Sequence, residues 1–148
     1  MIKKLKNCGF IQILDQKKIT ILKNNSRVSF LFYDKEEKIQ LRIYGDAKIN
    51  FKNDTTKKSW DKTGHMSRQC YLGDKVPGTD SAIPSSGLSD NIDNFKYSIE
   101  ESEIGYENFC VIETFITRIE WLYLAAKGHR RAQFILKNNS VEKKWIIP

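Results

Sequence analysis

The chain has 148 residues, enough for one domain in which roughly 68–70% of the unfolded surface can be buried without a metal or disulfide staple. Its 25 Lys and Arg against 18 Asp and Glu give a net charge of +7, which favours an anionic partner, and phosphate ligands, nucleic acid and anionic membranes all qualify. Three cysteines, Cys8, Cys70 and Cys110, stand far apart with no ligand spacing, so neither a disulfide framework nor a zinc site is indicated and a reducing, cytoplasmic setting is expected. The apolar runs are strand-sized, and the basic start Met1–Lys6 lacks the apolar stretch of a signal peptide.

In chain order, Phe10 to Leu14 reads as a short strand, and Ile19, Leu22 and Ile21 place an apolar edge on a helix ending at Asn24-Asn25. Arg27 to Tyr33 is β-branched and aromatic. From Ile39 to Phe51 apolar residues alternate with polar ones, the mark of a half-buried strand, with Gly45 expected at a bulge or bend. The charged stretch Asp34–Lys38 joins the two as a hairpin. Asp54 or Thr55 is expected to cap a helix carrying Trp60, and Ser67 to Leu72 a further turn with Tyr71 and Leu72 inward. Residues 73–95, rich in Gly, Pro, Ser and Asp, form a long loop that either covers a site or is partly disordered. The Glu100–Glu103 cluster is a charged loop. Phe109 to Ile119 is an alternating or fully apolar strand, followed by Trp121-Leu122-Tyr123-Leu124. Lys127-Gly128 turns into Arg130–Leu136, and Asn138-Asn139 turns into a last strand ending Trp145-Ile146-Ile147-Pro148. About seven short strands with one or two helices, and no βαβ rhythm, predict a mainly antiparallel β-barrel or sandwich in a single domain, 1–148.

Three segments resemble the pyridoxamine 5'-phosphate oxidase-like FMN-binding split-barrel family. They are Lys18–Tyr33, the strand Ile39-Gln40-Leu41-Arg42-Ile43-Tyr44-Gly45-Asp46-Ala47, and Ile119-Glu120-Trp121-Leu122 followed by Gly128-His129-Arg130-Arg131-Ala132-Gln133-Phe134 with the ending Trp145–Pro148. With Trp60-Asp61-Lys62 and Ser67–Leu72 the likeness runs in order along nearly the whole chain, and that colinearity makes it specific. The resemblance implies a homodimer with FMN at the interface. Lys18 would approach the flavin phosphate, and Gln40 would hydrogen-bond the ring. Trp121, Arg130 and Arg131 would reach the flavin or substrate from the other subunit, and Ser67 and Arg68 would lie near the substrate phosphate. The family's first helix and first two strands have no counterpart, so the chain resembles an N-terminally shortened member, and Asp15 and Gln16 stand where relatives carry Arg and Ser.

Each of these residues also has a plainer reading. Lys18 is either a phosphate contact or a solvated helix lysine, Gln40 a ring contact or an exposed strand amide, and Trp121 a flavin contact or a core or interface anchor. Adjacent arginines on a strand point to opposite faces, so only one of Arg130 and Arg131 can enter a given site. His129 has no triad partners. Nucleic acid is disfavoured because no recognition motif accompanies the charge, and no metal site or membrane contact is expected. Two functions remain open: an FMN-dependent oxidoreductase acting on a phosphorylated or flavin-like small ligand, or a shortened, non-catalytic barrel serving dimerisation or ligand binding.

Overall fold

The computed structural model describes residues 7–13, 16–138 and 140–148, without the side chains of 7–13 and 16–17; Asp15 and Asn139 lie outside the described residues, as does the side chain of Gln16. The strands are β1 (Asn7–Ile13), β2 (Arg27–Asp34), β3 (Ile39–Asn50), β4 (Phe109–Tyr123), β5 (Arg130–Leu136) and β6 (Val141–Ile146), and the helices are α1 (Gln16–Asn24), α2 (Asp54–Trp60), α3 (His65–Arg68) and α4 (Asp90–Asp93). The strands form one sheet in the order β2-β3-β4-β5-β6, with β1 paired to β4. The expected mainly antiparallel architecture is present. The sheet is open, and among the described residues it has six strands because Phe109–Ile119 and Trp121–Tyr123 are one continuous strand.

Contacts divide the chain into two compact units. The first comprises Met1–Gly9, Leu22–Lys48 and Glu113–Pro148. Its β2-β3 hairpin is antiparallel in unbroken register from Arg27↔Asp46 to Asp34↔Ile39. The turn between them is held by Asp34 Oδ1, which accepts from the backbone N–H of Glu36 and of Glu37, both at 3.0 Å. Gly45 is therefore no bulge; it pairs regularly with Val28. Its role is close approach. A Cβ there would stand 2.5 Å from the Phe115 carbonyl oxygen and 2.7 Å from Thr114 Cγ2, so only glycine lets β3 and β4 meet at this point. The β4-β5 hairpin turns at Gly128, whose φ of +113° favours glycine, and β5 and β6 close the series antiparallel.

The second unit comprises Phe10–Ile21 and Ile49–Ile112. Its core is Trp60, Tyr71, Phe109 and Val111, with Tyr106 packed against it. Trp60 and Phe109 are fully buried, each contributing on the order of 3 kcal/mol, and their rings meet edge-on at 5.1 Å. Asn53, not Asp54 or Thr55, caps α2. Its side chain accepts from Thr56 N–H, and the Thr56 hydroxyl oxygen accepts from Asn53 N–H, a reciprocal box. At the end of β3 the expected alternation inverts, with Asn50 1% exposed and Phe51 38% exposed. Asn50 Oδ1 accepts from Asn53 Nδ2, so the cap of α2 draws this amide inward.

Glu100–Glu103 was expected as a loop; instead a 3-10 helix spans Glu101–Asn108. From it Glu103 accepts Trp60 Nε1–H at 3.0 Å and Arg68 at 2.5 Å. The long segment 73–95 contains α4 and is drawn together by Asp74 N–H donating to the Gly87 carbonyl and by Gln69 Nε2 donating to that of Ile92. Among the described residues no helix is long and apolar enough to cross a membrane.

Candidate functional site

In the first unit, strand alternation sorts side chains onto two faces of the sheet. Gln40 and Arg42 of β3, Glu120 and Leu122 of β4, and Arg131 of β5 share one face, where with His129 and Pro148 they line a cleft of about 210 Å³. Glu120 is its buried anchor, only 5% exposed. Arg131 donates to Glu120 Oε2 at 2.8 Å and Gln133 Nε2 donates to Oε1 at 3.4 Å, while Arg118 Nε stands 3.6 Å from Oε1. Burial pushes the Glu120 carboxyl up, but the hydrogen bonds from Arg131 and Gln133 and the charges of Arg131 and Arg118 outweigh it and hold the group below its ordinary value. Glu120 is thus an ionised strut that fixes the Arg131 guanidinium in one orientation. Gln40, half-buried, makes no side-chain hydrogen bond among the described residues, so its amide faces the cleft with a donor and an acceptor to offer.

Gln40 and Arg131 are therefore brought together, and other expected site residues are not. Trp121 lies on the opposite face of the sheet, edge-on to Trp145 at 6.3 Å. Arg130 does not line the cleft; its guanidinium folds back onto the carbonyls of Gly128 and His129 at 3.2 and 2.9 Å.

Lys18, Ser67 and Arg68 belong to the second unit. Lys18 is exposed on α1, near enough to the buried Cys110 for its charge to oppose the rise that burial imposes on that thiol. Ser67 is exposed in α3. Arg68 is 5% exposed and engaged throughout. It donates to the Thr63 carbonyl at 3.1 Å, to Ser102 Oγ at 3.1 Å and to Glu103, and stacks 4.5 Å from the Trp60 ring. These bonds make it a structural cross-link of the second core.

Sequence reasoning gave no role to Glu120 or Arg42. The signal was available for Glu120: with the β4-β5 turn at Gly128, Glu120 faces Gln133 and lies diagonal to Arg131, within reach of a long side chain.

No protein-family model matches the sequence, and no curated protein is similar to it. Solved structures are similar in fold. A pyridoxamine 5'-phosphate oxidase-related, FMN-binding protein from Nostoc punctiforme superposes with a TM-score of 0.73 at 16% identity, over 96% of this chain and 73% of that one. The chain has the pyridoxamine-phosphate-oxidase split-barrel fold. PhzG from Burkholderia lata, solved with tetrahydrophenazine-1-carboxylic acid, shares that split barrel with a TM-score of 0.71 at 16% identity, over 97% of this chain and 69% of that one. Within the split barrel of this chain the Gln40–Arg131 cleft is built from β3, β4 and the β4-β5 hairpin, and so rests on rigid strand backbone with only His129 and the terminal Pro148 outside it.

Proposed function

We propose that this chain binds FMN through the Gln40–Arg131 cleft as a cytoplasmic homodimer and acts as an FMN-dependent oxidoreductase. The observation that carries the reading is the half-buried Gln40 amide beside a guanidinium locked by Glu120, opening onto one cleft. The donor set fits a flavin ring edge: the amide offers one N–H donor and one carbonyl acceptor to a ring that carries both kinds of atom, and Arg131 and Arg42 supply charge for an electron-rich oxygen. A cleft of about 210 Å³ is smaller than the roughly 300–1,000 Å³ of most small-molecule sites, so the reading assigns the remainder to a second copy. When bound, the flavin supplies hydride acceptance and passes electrons on to an acceptor; the chain's part is to hold the ring and exclude water.

The test is an absorption spectrum of the purified protein followed by FMN titration read as quenching of flavin fluorescence. Saturable quenching is expected, weakened about tenfold by Gln40→Leu, since a buried amide contact of this kind contributes on the order of 1–2 kcal/mol. A colourless protein that leaves FMN fluorescence unchanged refutes the reading. One observation favours the alternative of a non-catalytic barrel module: Glu120 already neutralises Arg131 within the cleft. A dimer in light scattering that takes up no flavin would decide for that alternative.

A further inference from the structure

The other face of the first unit's sheet carries a second concavity of different chemistry. Across β4, β5 and β6, Trp121, Ala132 and Trp145 form one cross-strand row, and Ile119, Phe134 and Lys143 form the next. Ala132, only 8% exposed, is the small member of the row, and its size lets the two indoles lean together over it and meet edge-on with centroids 6.3 Å apart. With Leu41 of β3 these side chains enclose about 430 Å³, within the range of small-molecule sites.

The lining is apolar apart from Lys143 and Lys144, both from β6, and no carboxylate contributes to it. Lys143 makes no ion pair among the described residues; the neighbouring Glu142 is bound to Lys137 at 3.0 Å. Trp145 is 73% exposed, a large aromatic surface left open to solvent beside that cation.

We propose that this groove binds a small amphipathic carboxylate, its acyl or aryl body lying along Ile119 and Phe134 against the wall made by Trp121 and Trp145 and its anionic head at Lys143. The carboxylate is favoured over a neutral apolar ligand because the groove's polar groups are cations at one rim. It is favoured over a cationic ligand because nothing in the lining is negative. The site lies on the opposite side of the sheet from Gln40 and Arg131, so it requires neither flavin nor catalysis.

Octanoate is the probe, transparent where tryptophan emits, and the intact protein reports through Trp121 and Trp145. Saturable change in tryptophan emission is expected with octanoate. At equal concentrations 1-octanol and octylammonium should bind at least about tenfold more weakly, the usual scale of a charge-assisted contact. Lys143→Glu, an exposed change that leaves the fold intact, should reverse the preference towards octylammonium, and Ala132→Phe should displace the two indoles that wall the groove and abolish the response. The proposal is overturned if octanoate produces no saturable change, if octanol binds as tightly, if Lys143→Glu leaves the preference unchanged, or if light scattering shows a second copy covering this face and released by Ala132→Phe.

Discussion

A methyl group at Gly45 tests how the sheet that carries the cleft is held together. Gly45→Ala would place a carbon 2.5 Å from the Phe115 carbonyl oxygen and 2.7 Å from Thr114 Cγ2, where ordinary contact begins more than half an ångström further out. The oxygen is backbone and cannot rotate aside, and Thr114 is fully buried and β-branched. Overpacking of this kind costs about 1–3 kcal/mol. Against it stands the roughly 0.4–1 kcal/mol by which alanine lowers unfolded-chain entropy, leaving a net loss of about 1–2 kcal/mol. For a chain of this size that is a drop of roughly 2–8 °C in melting temperature. Thermal and urea unfolding followed by far-ultraviolet circular dichroism would measure it, with Gly64→Ala as the control, since nothing lies within 4 Å of a Cβ there. Because β3 brings Gln40 and β4 brings Glu120, any forced separation at Gly45 should also weaken flavin binding. A Gly45→Ala protein as stable as the parent would refute the close-approach argument.

Two further outcomes follow from the ion pairs. Arg68→Met should destabilise by about 3 kcal/mol in urea unfolding, because it strips donors from Glu103, Ser102 and the Thr63 carbonyl while leaving a similar volume beside Trp60; a loss below about 1 kcal/mol would reduce Arg68 to a surface charge. The carboxyls of Glu103 and Glu120 are both held below their ordinary value of 4.5, the first by hydrogen bonds from Trp60 and Arg68, the second by Arg131 and Gln133 working against burial. A lowered folded value means that their contribution is complete above that ordinary value and drains as pH falls through the folded one. Melting temperature should therefore be flat in this respect from pH 7 to about 5 and fall below it, with a shallower fall in Glu103→Gln and Glu120→Gln; identical slopes in all three proteins would contradict it.

Local pattern made much of the fold legible. The β2-β3 hairpin, α1 and β5 stand within a residue of where alternation, apolar edge and turn chemistry place them. The failures have physical causes. Asn53, Asp54 and Thr55 are all good caps, so composition alone cannot choose among them, and the choice of Asn53 then reverses the burial of Asn50 and Phe51. The 3-10 helix at Glu101–Asn108 is charged and has little apolar periodicity; what holds Glu103 is Trp60 and Arg68, 43 and 35 residues away. Of the cleft, Gln40 and Arg131 were legible through resemblance and alternation, whereas Glu120 is legible only once the hairpin register is fixed. Trp121, the sequence neighbour of Glu120, stands on the other side of the strand, because adjacent residues of a strand point to opposite faces.

The turn at Gly128 carries more than a change of direction. Side chains on β5 alternate by single residues, so one inserted residue between Tyr123 and Arg130 would slide the strand by one step and present Arg130 and Ala132 where Arg131 and Gln133 now meet Glu120. Glu120 would then face a methyl group in place of the Gln133 amide, and the guanidinium of Arg131 would be driven beneath the two indoles in place of Ala132. The length of one short connection thus decides the chemistry of both sides of the sheet together.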